Sequence, residues 1–260
     1  MRWGQGSDMV RSRWLLLAAA LLAALLAARL GFWQLNRADQ KLALQAQMHS
    51  RSALPPLVQA ALARSAELAK PQHYQRVLLQ GRWLPQHTVY LDNRQMNGKP
   101  GFFVLTPLLL AEGDAVLVQR GWMPRNFVDR SALQPLPTPQ AEVQLLGRLA
   151  PPPSKLFSLG GADAGRIRQN LDLSIYAQDI GLSLRPLSVQ QLAPARPATA
   201  ASDTQAQSVV PLLDDGLLRQ WPEVAADVSK HHAYAVQWFA LCALITGLYV
   251  WFQILRPRHV

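Results

Sequence analysis

"SKHHAYAVQWFALCALITGLYVWF", residues 229–252, is an apolar run with two histidines, His231 and His232, at its mouth. Extended to residues 233–255 it is interrupted only by Gln237 and Gln253. At 1.5 Å per residue such a run spans roughly 33 Å, the thickness of a hydrocarbon core. It is too long, and too apolar on every face, for the buried helix of a soluble domain. Working outward, a partner run stands near the other end. Residues 14–35 are apolar except for Arg29 and Gln34. Both runs read as transmembrane helices. A cleaved signal peptide is the alternative for the first, since Arg11 and Arg13 give it a positive start. Cutting after Ala28 would put Leu26 at the third position back, however, so an uncleaved anchor fits better.

The formal net charge of +10 raises nucleic acid as a partner. Two spans outrank it, and no nucleic-acid motif is present. Much of the excess has a topological meaning. Arg2, Arg11 and Arg13 precede the first span against Asp8 alone, and Arg256 and Arg258 follow the second. The positive-inside rule then puts the tails, residues 1–13 and 256–260, in the cytoplasm, and the 36–232 segment outside it. Arg37 and Lys41 lie on the exported side, as long exported segments tolerate. Cys242, the single cysteine, lies inside the second span. The exported segment therefore holds together without a disulfide.

Between the spans the pattern changes along the chain. Residues 37–51 continue the first helix out of the membrane, with Leu42, Leu44 and Met48 among polar residues, until Pro55-Pro56 stops it. Residues 57–70 read as a second short helix. Strand-like runs follow at 74–81, 88–92, 102–110, 115–122 and 143–149, separated by turn residues such as Asn97-Gly98 and Pro100-Gly101. Residues 173–182 read as an amphipathic helix and 186–192 as a further strand. Residues 195–209, rich in Ala, Thr, Ser, Pro and Gln, read as a flexible excursion. The fold class is a membrane α+β protein: two transmembrane helices flanking a mainly antiparallel β domain, an open sheet or small barrel, outside the cytoplasm.

No enzyme signature appears: there is no nucleophile elbow, phosphate loop, GxGxxG or HExxH. His49, His73 and His87 are scattered and read as ordinary surface or core residues. Asp214-Asp215 precedes Gly216 and reads as a solvated turn rather than a catalytic pair. The chain is not expected to be an enzyme.

The mouth of the second span is different. On a helix, His231 shares a face with Tyr234, Ala235 and Trp238. His232 points about 100° away. A neutral imidazole can serve as an axial ligand of haem iron, and an aromatic wall suits a porphyrin. Interfacial anchoring by Tyr and Trp accounts for the same residues without any ligand. On the first helix, Trp33, Gln34 and Arg37 form a local cluster where the chain leaves the bilayer, with Lys41 one turn on. The cationic pair suits haem propionates, and equally suits snorkelling to headgroups.

Four blocks, taken in order, resemble the Surfeit locus protein 1 family of cytochrome c oxidase assembly factors. They are "RLGFWQLNRADQK" (29–41), "GRWLPQHTVYLDNR" (81–94), "GFFVLTPL" with "VLVQRGWMPR" (101–125), and "DGLLRQWP" (215–222) leading to "KHHAYAVQWFAL" (230–241). The last is similar to the family's HxxYAxxWF block. The resemblance covers nearly the whole chain apart from residues 195–209. It departs from the mitochondrial pattern in having His232 beside His231, and Ser229-Lys230 ahead of them.

This resemblance implies a chaperone of respiratory-chain assembly, seated in the bacterial inner membrane and serving a haem-copper oxidase. It implies haem a as cofactor, with His231 as ligand to the haem iron, and His232 as an alternative. Tyr234, Trp238 and Trp33 would cover the ring and Arg37 would stand near the propionates. The implied partners are the oxidase catalytic subunit, with haem a synthase as a further candidate, and the lipid bilayer. Gly121 and Pro124 of the third block are expected to shape a turn after a strand. The competing expectation is a structural assembly partner that grips an oxidase subunit and binds no cofactor.

Overall fold

The computed structural model describes residues 5–110, 114–157, 165–198, 214–221 and 228–256, with side chains from residue 13 onward. Its β strands alternate inward and outward residues along a closed ring. β2 (Arg76–Trp83) buries every second residue, Val77, Leu79, Gly81 and Trp83, the period expected of a strand with one face on a core. β2 pairs antiparallel with β6 (Val143–Ala150), which pairs antiparallel with β8 (Leu184–Gln191). β8 runs parallel to β5 (Ala115–Pro124), and β5 pairs antiparallel with the long strand β4 (Lys99–Leu110). Leu108–Leu110 of β4 then return to Trp83–Gly81 of β2 and close a five-stranded barrel. Closure removes the sheet edges that would otherwise invite foreign strands.

The barrel interior is filled by branched aliphatic side chains: Val77 and Leu79, Leu108 and Leu110, Val116 and Val118, Val143, Leu145 and Leu149, Leu187 and Val189. The first half of β4 leaves the ring and carries β3 (Val89–Met96) on the edge that its second half gives to β2. The two-residue strand β7 (Ile167–Arg168) adds to β3, and β9 (Arg196–Pro197) adds to β6. A second apolar layer lies outside the ring, where Leu105, Leu117, Val89 and Leu91 pack with Leu171 and with Tyr176 of helix α3 (Leu173–Asp179).

α3 starts at Asp172, whose carboxylate accepts the Ser174 and Ile175 amides at 3.1 and 3.3 Å and Lys155 Nζ at 2.7 Å. Lys155 first, and then Ser174, hold this carboxyl well below its ordinary range. A depressed folded-state value means a contribution fully present above the unfolded value and lost as pH falls below it. Asp172→Ala is therefore expected to cost about 1 kcal/mol at pH 7, a usual loss for an N-cap. The gap to the parent should be narrower at pH 3 when both are unfolded in urea.

Two sequence expectations need correction here. Residues 57–70 do not form one helix. Leu57–Val58 form β1, paired parallel with Val77–Leu78, and only Ala66–Ala69 (α2) is α-helical, capped by Ser65. Leu62 and Ala63 are buried in the barrel core, and Arg185 Nη1 donates to the Leu62 carbonyl at 2.9 Å. Burial of these two residues and pairing with β2 outweigh the helix propensity of an Ala-rich run. The expected flexible excursion begins later than read, since Ala195 is buried and Arg196–Pro197 pair with β6. Its remainder from residue 199 lies outside the described residues.

The two long helices form a separate compact unit with the described parts of residues 1–46 and 223–260. Helix α1 (Gln5–Ala53) runs unbroken for 49 residues, roughly 73 Å. It thus continues well past the apolar stretch, as the helical pattern of residues 37–51 predicts. Helix α4 (Val228–Val250) is extended by a π-helical turn, Trp251–Leu255. Both are long and apolar enough to cross a membrane.

Candidate functional site

The helix pair is held close by small residues. Ala27 of α1 and Ala235 of α4 are buried, and Gly31 faces Phe239 so closely that a Cβ at 31 would stand 2.7 Å from its ring. Phe32 meets the same ring edge-on at a centroid distance of 5.2 Å. Gly, Ala and aromatic packing of this kind is the usual means of bringing membrane helices together. About two turns nearer the start of α4 than Phe239, His231 Nδ1 lies 2.7 Å from Gln34 Oε1. The pairings 34 with 231 and 31 with 239 give the helices opposite directions.

The inward face of α4 is therefore His231, Ala235 and Phe239, spaced four apart. Phe239 was not among the predicted residues, although it stands in the quoted run at the right helical offset. Tyr234 and Trp33 are half exposed on the flanks, Trp238 is partly buried, and His232 is exposed. Arg37 is exposed and donates to Gln40 Oε1 at 3.1 Å. Of the predicted set, then, His231 is brought against the Trp33–Gln34–Arg37 segment through Gln34, while Arg37 is occupied on its own helix.

An amide oxygen only accepts, so this contact is a hydrogen bond when the imidazole carries a proton on Nδ1, and in the neutral ring that leaves the lone pair on Nε2. That is the tautomer a ligating histidine needs, and an acceptor behind the second ring nitrogen is the usual support of such a ligand. The donor set therefore fits an axial haem ligand, with aromatic surface from Trp33 and Tyr234 still open beside it.

The β domain gathers the other blocks singled out in the sequence. In the β4–β5 ladder Val104 pairs with Gly121 and Leu105 with Gln119, which leaves Arg120 as the extra residue of a β-bulge. Its side chain is 2 % exposed and reaches Asp215 Oδ2 at 3.1 Å; Arg219 meets the same oxygen at 2.6 Å. Arg120 also lies over the Trp83 ring at 4.8 Å. Burial pulls the Arg120 guanidinium below its ordinary value, and Asp215 offsets this in part.

Trp122 exchanges two backbone hydrogen bonds with Leu218, at 2.7 and 2.9 Å, and its indole donates to the Arg94 carbonyl at 2.8 Å. Gly121 permits this approach: a Cβ there would stand 2.8 Å from the Leu218 carbonyl oxygen. Gly121 and Pro124 both lie within β5, paired with Val104 and Gly101, and shape no turn. Asp214 does cap a turn, accepting from the Gly216 amide at 3.0 Å, but Asp215 is a buried counter-ion and not solvated. These contacts belong to structure rather than chemistry.

The blocks in RGW and DGLLR thus meet in one buried cluster of the barrel, and the WQ and HHAY blocks meet at the helix pair. The sequence matches the SURF1 family over residues 21–243. The chain belongs to that family. It is similar to the SURF1-like protein of Rickettsia felis, with 26% identity over 225 residues, 85% of this chain and 89% of the relative. The SURF1-like protein of Rickettsia conorii is 25% identical over 237 residues, 89% of this chain and 87% of that relative. The cytochrome oxidase assembly protein SHY1 of Saccharomyces cerevisiae is 30% identical over 171 residues, 63% of this chain but 43% of the yeast protein. For this SURF1-family chain, the matched segment takes in the whole described barrel and a large part of each long helix.

Proposed function

We propose that this chain is an assembly factor for a haem-copper cytochrome c oxidase, and that it holds haem a as cargo at the mouth of α4 and assists its delivery to the catalytic subunit. Membership of the SURF1 family and the likeness to a yeast cytochrome oxidase assembly protein support the assembly role. The observation that carries the haem reading is His231, whose Nδ1 is engaged by Gln34 and whose Nε2 is left as a ligand. His231 would hold haem iron through its free ring nitrogen, Tyr234, Trp238 and Trp33 would cover the ring, and Arg37 would stand near the propionates.

The arginines at both tails support an orientation with the termini in the cytoplasm of a bacterium and the barrel in the periplasm. One strain tests both parts: cells deleted for the gene, complemented by the chain with alkaline phosphatase fused after Val260. Oxidase activity should be lost on deletion and restored by the fusion, while the phosphatase stays inactive. Undiminished oxidase in the deletion strain would sink the assembly role, and an active phosphatase would reverse the topology.

A further inference from the structure

We propose that Gln34 is the positioning residue of the haem site: its side-chain oxygen fixes the tautomer of His231 and sets how strongly that histidine holds the cargo. The inference rests on the reading of His231 as ligand, and deepens it.

Gln34 lies in the last turn of a stretch that is apolar apart from Gln34 itself and Arg29, where an amide is costly unless it finds a partner. Its partner is 197 residues away in sequence, at 2.7 Å. The scaffold around the pair fixes that distance. Gly31, one turn before Gln34, leaves room for Phe239, and Ala235, one turn after His231, is 1 % exposed. A larger residue at either place would part the helices and break the bond. The ring nitrogen bonded to Gln34 is thereby committed as a donor, so iron can be met only by Nε2.

The acceptor is an amide and not a carboxylate, and this bears on function. A carboxylate behind a ligating imidazole draws its proton strongly and raises the basicity of the other nitrogen. A neutral amide does so less. The ligand is then oriented but not strengthened to the full extent, which suits a carrier that must release what it binds.

The test uses the full-length chain in detergent micelles, titrated with haem a, with affinity read from the Soret band and reduction potential from spectroelectrochemistry. Gln34→Leu is expected to weaken binding about 10- to 100-fold, the usual effect of removing the group behind a metal ligand. Gln34→Glu should restore the affinity of the parent or exceed it, with a lower reduction potential, because a carboxylate makes His231 the better donor to ferric iron. Parent-like affinity and potential in Gln34→Leu would overturn the role. Binding by Gln34→Glu as weak as by Gln34→Leu would overturn it too, leaving only a clamp between helices. His231→Leu in the same series separates the two levels: if it binds haem a like the parent, the ligand assignment itself falls, and if it loses binding while Gln34→Leu keeps it, only the role of Gln34 falls.

Discussion

His231→Leu is expected to abolish haem binding and to reduce oxidase assembly to the level of the deletion strain, while the protein still inserts in the membrane at its normal amount. Leucine is a good helix former, so α4 keeps its shape. What is lost is the one imidazole on the α1-facing side of α4, together with its bond to Gln34. His232→Leu is the control, because the two side chains diverge by about 100° around the helix and His232 is exposed. It should keep the parent's spectrum and oxidase activity. If His231→Leu keeps both and His232→Leu loses both, the ligand is His232. If the double variant is fully active, the protein is a structural assembly partner.

The largest effect on stability is expected in the barrel, from Asp215→Ala. Arg120 and Arg219 share this carboxylate, and their side chains are 2 % and 8 % exposed. Removing it leaves two buried guanidinium groups without a counter-ion among the described residues. Breaking a buried pair in this way costs about 3–5 kcal/mol. The bulge at Arg120 and the bridge of Trp122 to Leu218 converge on the same place, so the loss should loosen the 214–221 segment from β5. Urea unfolding of the detergent-solubilised chain, followed by tryptophan fluorescence, measures it. Asp215→Asn, which keeps the shape and part of the hydrogen bonding, should fall between the parent and Asp215→Ala. A loss below about 1 kcal/mol in Asp215→Ala would mean that the cluster is solvated when the protein is in solution.

The six longer strands were legible one at a time because each carries its own signal. Apolar residues two apart in 76–83, turn residues at 97–98 and a continuous apolar run in 115–118 needed no partner to be read. Closure of the ring was not legible. It depends on β4 giving one edge to β3 over its first half and to β2 over its last three residues, a division that only three-dimensional packing decides. Residues 57–70 were misread for a related reason, since local propensity cannot register that Leu62 and Ala63 would be drawn into a core built by strands far downstream.

Asp215 looked like half of a turn because one of its two counter-ions, Arg120, lies 95 residues earlier, on a bulge that no periodicity announces. At the helix pair, His231 was read at the mouth of the second span and the Trp33–Gln34–Arg37 cluster where the first leaves the bilayer. Helical spacing could not tell which of those three would face the histidine. That choice belongs to Gly31, Ala235 and Phe239, which set the rotation of one helix against the other.

The most direct measurement is a reduced-minus-oxidised optical spectrum of the full-length chain, purified from cells that make haem a. The haem-carrier reading predicts an α-band of haem a in amounts approaching one per chain, absent from the His231→Leu protein purified in parallel. A chain that purifies intact from such cells with no haem a band, and gains none when haem a is added, would contradict it.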